Sequence, residues 1–187
     1  VHLYGLIGNI EEIAEYARTN KIVLVEDCAQ SLGAIKSGKH CGTFGDYGCY
    51  SFHTQKNITT LGEGGMIVVK DDEVAKKIKG LRHNGAQPFK DQECYWKPAM
   101  TNIALNIESS WPHNFSMNEA QAAVGNISIK RLDQLTKDRR KRAHRFIQEF
   151  LSYNELKFQK ISSIEEHSHH LLPAQYNGNK FNKCNHD

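Results

Sequence analysis

The sequence lacks a long hydrophobic run, a strong excess of either charge, and much proline. Its 187 residues include only 4 prolines, and 24 basic side chains are set against 21 acidic ones. No apolar stretch approaches the roughly 20 residues of a membrane helix. The composition argues against a disordered or collagen-like chain, and the near balance of charge does not favour nucleic acid as a partner. No basic segment followed by an apolar stretch marks a signal peptide, so we expect no membrane association and a cytoplasmic location.

Cysteine is present but in no paired pattern. The five cysteines, at positions 28, 41, 49, 94 and 184, form no Cys-x-x-Cys pair and no Cys/His cluster at zinc-finger spacing. This pattern favours a reduced, cytosolic protein and predicts no metal site. A chain of this length can bury a core of its own, so it needs no disulfides to fold.

Hydrophobic periodicity in the first half predicts an α/β fold. Apolar residues at helical spacing predict a helix over 10–19. The apolar run 22–25 predicts a strand buried on both faces, which favours a parallel sheet with helices on either side. Further strands are predicted at 47–52 and 66–69, and an acid-led helix at 71–81. A polar turn follows the first strand, where ligands bind in open α/β sheets.

The second half predicts a long helical segment after an irregular stretch. Ser116 and Glu119 fit a capping box at the start of this segment. The helical period runs on as one helix, or as two with a break near 125–128. The remaining predicted elements are an ordered loop at 84–115, a helix end near 151, and strands at 157–159 and 171–176 in a smaller unit.

Asp27 and Lys56 are the first candidates for chemistry. Asp27 follows a buried strand, where it is either an ordinary turn residue or a carboxylate that pairs with a cationic ligand in a partly dry cleft. Lys56 lies in a turn rich in Gly, Ser and Thr, where it is either a solvated cation or a desolvated nucleophile. Hydroxyls and glycine amides near them would bind a phosphate. An Asp, a Lys and a phosphate cup are the set that pyridoxal 5'-phosphate requires.

Four ordered blocks of residues carry a family resemblance. They read Glu26-Asp-Cys-Ala-Gln30, Gly42-Thr-Phe-Gly-Asp46, Ser51-Phe-His-Thr-Gln-Lys56 and Thr59-Thr-Leu-Gly-Glu-Gly-Gly65. The series resembles the DegT/DnrJ/EryC1/StrS family of sugar aminotransferases, which depend on pyridoxal 5'-phosphate and have fold type I. The resemblance implies part of an aspartate aminotransferase-like large domain, with a mostly parallel sheet flanked by helices. It also implies the start of a small α+β C-terminal domain.

The resemblance also implies how the chain is divided. Residues 1–115 would belong to the large cofactor-binding domain, 116–151 would form a connecting helix or helix pair, and 152–187 would begin the small domain. The N-terminal part of the family pattern, with a phosphate-binding turn and an aromatic residue that stacks on the ring, is not identifiable. We therefore expect a fragment that lacks the N-terminal part and most of the C-terminal domain.

The matching positions imply four roles around the cofactor. Lys56 would form the Schiff base with the cofactor and then move a proton between the substrate carbon and the cofactor. Asp27 would keep the pyridine nitrogen protonated. Gln30 would hydrogen-bond near the phenolic oxygen of the ring, and Ser51 would bind the phosphate.

Two further positions concern the substrate and a partner subunit. His53 lies beside Lys56 in the motif and would contact substrate. Asn114 matches a family asparagine that reaches the phosphate in the neighbouring subunit, which implies a homodimer with shared active sites. The family arginine that precedes the methionine of this stretch is Ser116 here. Leu61 is inserted after the Thr pair, and the stretch 86–113 is longer than in many members, which hints at a subfamily with its own substrate pocket.

The implied reaction is amino transfer from glutamate or glutamine to a keto-sugar, linked to a nucleotide or phosphate, or to a keto-cyclitol. Sugar dehydratases of the same family carry His at the position of Lys56, so the lysine favours transamination. A dehydratase-like member and a truncated, non-catalytic fragment stay open as alternatives.

Two clusters, one of basic residues and one of histidines, each have a structural and a functional interpretation. The run Arg139-Arg140-Lys141-Arg142 with His144 and Arg145 suits either nucleic acid or a solvated helix face, and we favour the solvated face because no aromatics are interleaved. The cluster His167-Ser-His-His170 suggests a metal. Neighbouring residues of one strand point to opposite faces, so we favour a structural role for it.

Overall fold

The structure, a computed structural model, describes residues 1–86 and 110–178. The helices are α1 Ile10–Thr19, α2 Asp72–Leu81, α3 Glu119–Lys130 and α4 Leu132–Phe150, with single 3-10 turns at Leu3–Gly5 and Ile164–Glu166. The strands are β1 Val25–Asp27, β2 Ile35–Lys36, β3 Lys39–His40, β4 Tyr47–Ser51, β5 Gly65–Val69, β6 Leu156–Phe158 and β7 Ala174–Tyr176. No helix among these residues is long and apolar enough to span a membrane.

These elements form two units. The first comprises Val1–Val68 together with the chain from Ala120 onward, and the second is Val69–Glu119. The expected loop at 84–115 lies largely outside the described residues, which resume at residue 110.

A three-stranded sheet in the order β1-β4-β5 positions the site. β1 pairs with β4 in parallel, with Val25 opposite Tyr47 and Asp27 opposite Cys49. Beyond β4, Phe52 N donates to Gly64 O at 2.8 Å and Thr54 N to Gly62 O at 2.9 Å, which is an antiparallel pattern. The predicted strands at 47–52 and 66–69 are therefore confirmed as β4 and β5.

The predicted buried strand at 22–25 is wrong in place and in burial. β1 begins only at Val25, and Ile22, Val23 and Val25 are 52%, 66% and 55% exposed. After α1 the chain turns at Lys21, which has φ 54. Most of the apolar run therefore lies in the connection that leads to the sheet. No described element covers these side chains, and the buried residue of β1 is Glu26, at 1% exposure.

The Glu26 carboxylate is buried because four donors surround it. It accepts hydrogen bonds from His2 Nε2 at 2.9 Å and from the backbone amides of Gly42 at 2.8 Å, Phe44 at 2.7 Å and Gly45 at 2.6 Å. Burial alone would raise the pKa of Glu26, but these hydrogen bonds together lower it. The carboxylate thereby joins the chain start, β1 and the turn before β4.

The small apolar core lies beside this carboxylate. Its buried members are Ile7, Ile10, Cys28, Ala34 and Cys41, with Leu24, Phe44 and Tyr50 packed against them. The helix predicted at 10–19 is confirmed as α1, and it contributes its N-terminal residue to this core. The described cysteines are free thiols.

In the second unit, the predicted acid-led helix is confirmed as α2. The Asp71 side chain accepts from the amides of Glu73 and Val74 at 2.8 and 3.2 Å, which caps the helix. The capping box predicted at Ser116 and Glu119 is wrong, because α3 begins at Glu119 itself. The Ser116 hydroxyl instead lies 2.6 Å from His83 Nδ1.

The long helical segment is two helices, but its break is not where the sequence places it. α3 and α4 meet at Arg131 rather than at 125–128. Gly125 lies inside α3. A Cβ there would lie 3.0 Å from Thr60 Cγ2, so the glycine permits close packing and does not break the helix. Farther on, β6 and β7 pair in antiparallel orientation, while Leu171 and Leu172 lie before the second of these strands.

The basic run on α4 is not a uniformly solvated face. Arg140 donates to three backbone oxygens: His167 O at 3.0 Å, Gly33 O at 3.1 Å and Glu165 O at 2.7 Å. Arg139 donates to His169 O at 3.4 Å. The prediction of a solvated face is therefore wrong for these two residues, whereas Lys141 and Arg142 are exposed.

We expect Arg140→Met to destabilise the chain by about 2 to 4 kcal/mol, because it leaves three carbonyl oxygens without their charged donor. Urea unfolding followed by circular dichroism measures this loss. The matched control Arg142→Met removes an exposed arginine of the same helix and should stay within about 0.5 kcal/mol of the parent. Equal losses in the two variants would contradict the role given to Arg140.

Candidate active site

The carboxyl ends of two parallel strands bring the main candidates to one edge of the sheet. Asp27 ends β1 and lies opposite Cys49 of β4, and Ser51 ends β4 two residues farther along. The turn that carries Lys56 follows directly. The structure thus places a carboxylate, a hydroxyl and a lysine at the edge where open α/β sheets bind ligands.

Asp27 makes a local contact and stays accessible. Its Oδ1 accepts from Ala29 N at 3.0 Å, as expected of a turn aspartate. Burial and the charge of Asp27 raise the pKa of the neighbouring Cys49 thiol. Asp27 is exposed rather than set in a partly dry cleft, and no described residue occupies its Oδ2. The side chain therefore serves the turn with one oxygen and can serve a ligand with the other.

Lys56 is half-buried on a turn fixed from several sides. Its amide donates to His53 O at 2.9 Å, and Thr60 N donates to Phe52 O at 3.1 Å. Within the described ranges no carboxylate forms an ion pair with the Lys56 amine, although Asp27 and Glu63 belong to the same unit. The amine is therefore not consumed by a structural salt bridge.

Three more predicted residues lie around this edge. The Oε1 atom of Gln30 accepts from Tyr4 N at 2.7 Å, so its NH2 group is not used by this bond. The Ser51 hydroxyl accepts from His53 N at 3.3 Å. The imidazole of His53 lies 3.7 Å from Glu63 Oε1 and is half-exposed.

The structure does not bring Asn114 into the unit that holds the other five. Asn114 belongs to the second unit, where it is exposed and forms an isolated bridge with His83. The backbone around it is fixed by Phe115 N, which donates to Arg82 O at 2.8 Å. Its predicted reach toward a neighbouring subunit stays a prediction.

Asn57 and His170 are site residues that sequence reasoning missed. Asn57 is buried next to Lys56, and its side chain donates to Leu32 O at 3.0 Å. The Nδ1 atom of His170 lies 3.2 Å from Asn57 Oδ1. Burial, and then the charges of Lys56 and Arg139, lower the pKa of His170. In the sequence, His170 stood out only as part of the histidine cluster 167–170, and Asn57 only as an asparagine that follows the lysine.

The other two histidines of this cluster stack on each other. The rings of His167 and His169 lie 3.9 Å apart and nearly parallel, and His167 Nε2 lies 3.0 Å from Gln159 Oε1. Burial, followed by His169 and Arg140, lowers the pKa of His167 to about 4, and burial and Arg140 lower that of His169 to about 4. Residues 167–170 form no strand, so the alternation argument made from the sequence was wrong.

The donor set fits pyridoxal 5'-phosphate better than a metal. Asp27, Lys56 and Ser51 supply the carboxylate, amine and hydroxyl that the cofactor needs, and Thr59 Oγ1 nearby in sequence is buried without a hydrogen-bond partner among the described residues. One described group, His2, Glu26 and Cys28, has donor atoms within 4.8 Å of one another. Its carboxylate already accepts four hydrogen bonds, which identifies the group as structural.

Comparison with known proteins agrees with this geometry. The model of the DegT/DnrJ/EryC1/StrS aminotransferase family matches residues 1–186. The GDP-perosamine synthase of Caulobacter vibrioides is 38% identical over 134 residues, which make up 72% of this chain and 32% of that protein. The chain spans about a third of the length of the curated relatives it matches.

Solved structures show the same fold. PseC of Helicobacter pylori, an aminotransferase involved in the biosynthesis of pseudoaminic acid, matches with a TM-score of 0.80 at 25% identity, over 96% of this chain and 45% of that one. The Escherichia coli GDP-4-keto-6-deoxy-D-mannose-3-dehydratase with bound hydrated PLP matches with a TM-score of 0.76 at 25% identity, over 94% and 45% of the two chains. The predicted fold type I is confirmed.

The stacked histidines predict a pH-dependent stability. Their pKa is about 4 when folded, against 6.5 as the ordinary value, so the unfolded chain binds more protons between these limits. The free energy of unfolding should therefore fall as the pH drops from about 6.5 to 4, by a few kcal/mol in order of magnitude. Urea titrations at a series of pH values measure this.

The variant His169→Gln should flatten that dependence, whereas His144→Gln, on the exposed side of α4, should leave it unchanged. A stability that is constant from pH 7 to about 4 would show that the stacked pair titrates normally.

Proposed function

The chain belongs to the DegT/DnrJ/EryC1/StrS aminotransferase family, and on this basis we propose that the protein is a pyridoxal 5'-phosphate-dependent sugar aminotransferase. Its reaction is the transfer of an amino group from glutamate or glutamine to a keto-sugar or keto-cyclitol. The observation that carries the proposal is the half-buried Lys56 on the turn after β4, at the sheet edge that Asp27 and Ser51 share, with no ion pair to any residue that the structure describes.

Each residue of this edge has a task in the proposed reaction. When bound, the cofactor supplies an electron sink for the bonds at the substrate carbon. Asp27 would bind the ring nitrogen through its Oδ2 and keep it protonated. The Ser51 hydroxyl would bind the phosphate, and Gln30 would hydrogen-bond near the phenolic oxygen. Lys56 would hold the cofactor and move the proton, while His53 would contact substrate.

The substrate is proposed to be a nucleotide-linked keto-sugar. The Caulobacter relative and two others at 32% identity are named for a GDP-linked amino sugar, and a further relative is named for a UDP-linked one. These names support a nucleotide-linked acceptor over a keto-cyclitol. The name of the UDP-linked relative places the amino group on carbon 3, whereas the names of the GDP-linked relatives give no position.

The quaternary arrangement is also a proposal. Asn114 is exposed on the second unit, as a residue that serves a neighbouring subunit must be. A homodimer with shared active sites follows from the family resemblance. The divisions after residues 115 and 151 and the cytoplasmic location stay predictions.

Dehydration is the second candidate reaction, because a solved 3-dehydratase shares the fold at 25% identity. Lys56 favours transamination, since a lysine can return the proton that a 1,3-shift requires. Incubation with a nucleotide-linked keto-sugar and glutamate separates the two. An amino sugar with equimolar 2-oxoglutarate supports transamination, whereas a keto-deoxy sugar released together with ammonia and 2-oxoglutarate, without any amino sugar, supports dehydration.

Cofactor binding through Lys56 is the direct prediction. Added pyridoxal 5'-phosphate should give the full chain a lysine-dependent absorbance band, and borohydride reduction should fix the cofactor on the peptide that contains Lys56. Lys56→Met should lose both signals, because no other amine occupies this turn. Lys39→Met, on the exposed hairpin strand β3, should keep both.

Two outcomes would oppose the proposal. A band of equal strength in Lys56→Met would place the cofactor on another amine. A complete lack of binding by the parent chain would support the alternative of a non-catalytic fragment.

A further inference from the structure

Asn57 links the Lys56 turn to a distant part of the chain. Its amide nitrogen donates to Leu32 O at 3.0 Å, which fixes the orientation of the side chain and turns its oxygen toward His170. An amide oxygen can only accept, so the Nδ1 atom of His170 must donate across the 3.2 Å between them. The neutral imidazole therefore keeps its lone pair on Nε2.

The segment that carries His170 is fixed by contacts to its backbone. Arg140 binds the carbonyl oxygens of Glu165 and His167, and Leu171 N donates to Tyr4 O at 3.2 Å. Gly5 has φ +104, and a Cβ at this position would lie 2.9 Å from His170 N. The close approach requires glycine and determines where the imidazole lies.

The charged groups near His170 are mostly cationic. Lys56 and Arg139 both act to lower its pKa, in addition to burial. A cleft of about 550 Å³ along α4 is lined by His170 together with Asp138, Arg139, Arg142 and His169. Of these only Asp138 is acidic, and Gln134 Nε2 binds it at 3.0 Å. The surroundings therefore oppose protonation of His170.

We propose that His170 is a positioning residue of the Lys56 site, which acts through Asn57 to hold the lysine-bearing turn and presents an uncharged imidazole to it. The role rests on the proposed function of Lys56. The effect of the two charges is reciprocal: a proton on His170 disfavours the Lys56 ammonium, and the Lys56 ammonium disfavours a proton on His170.

The first test follows the titration of His170 by NMR in the full chain without cofactor, with the resonance assigned from its loss in His170→Gln. Lys56→Met should raise the pKa of His170 by roughly half a pH unit, the size expected for one nearby charge in a water-like dielectric. Lys39→Met is the matched control and should leave it unchanged. An identical titration in the parent chain and in Lys56→Met overturns the proposal.

The second test measures the reactivity of Lys56 toward an acylating reagent as a function of pH, by mass spectrometry of its peptide. His170→Leu removes the donor to Asn57 and should shift the curve of Lys56 reactivity against pH. His170→Gln, which keeps an N–H donor, should bring this curve part of the way back to that of the parent chain. The Lys39 peptide of the same sample is the internal control. Equal profiles in the parent and His170→Leu would remove the positioning role.

Both tests run without the cofactor, so their failure is distinct from failure of the proposed function. If His170→Leu does not fold, the NMR titration of Lys56→Met, in which His170 is intact, still tests the proposal. A chain that passes both tests but binds no pyridoxal 5'-phosphate would keep the positioning role of His170 and refute the proposed enzymatic role.

Discussion

The buried carboxylate of Glu26 is the constraint on which the first unit depends. A charge at 1% exposure is tolerated only when its oxygens are satisfied, and here His2 and three backbone amides of the turn at 42–45 do so. Because Glu26 is the middle residue of β1, these bonds fix the strand at its centre. Asp27 is then carried to the sheet edge by the alternation of the strand, with its carboxylate facing away from the core.

The Lys56 turn is held between two such anchors. On one side, β4 follows the register that β1 imposes and ends at Ser51. On the other side, Arg140 and Gly5 fix the segment that ends in His170, whose imidazole meets Asn57. Lys56 contributes little to its own placement, because among the described residues its amide bonds only to the nearby His53 O. The Lys56 amine forms no ion pair with a described residue and is therefore left for chemistry, while the neighbouring residues fix its position.

Local patterns predicted the parts of the fold that local physics determines. The periodicity of 10–19 and the acids at the start of α2 are properties of a single helix, and both helices formed as expected. The ordered blocks around Asp27, Ser51 and Lys56 likewise predicted a site at the ends of two strands, where the structure places these residues. The apolar run 22–25 misled because burial depends on what covers a strand, and Ser116 misled because its hydroxyl found His83. The contacts of Arg140 and His170 could not be predicted, since their partners are distant in sequence.

Arg140 also bears on how freely this chain can change in evolution. Its guanidinium touches Gly33, Glu165 and His167 only at their carbonyl oxygens, which every amino acid possesses. Substitutions of the side chains at 165 and 167 therefore leave the attachment intact, provided that the backbone keeps its course. A scaffold attached in this way tolerates changes in the side chains of the attached segments without loss of the fold.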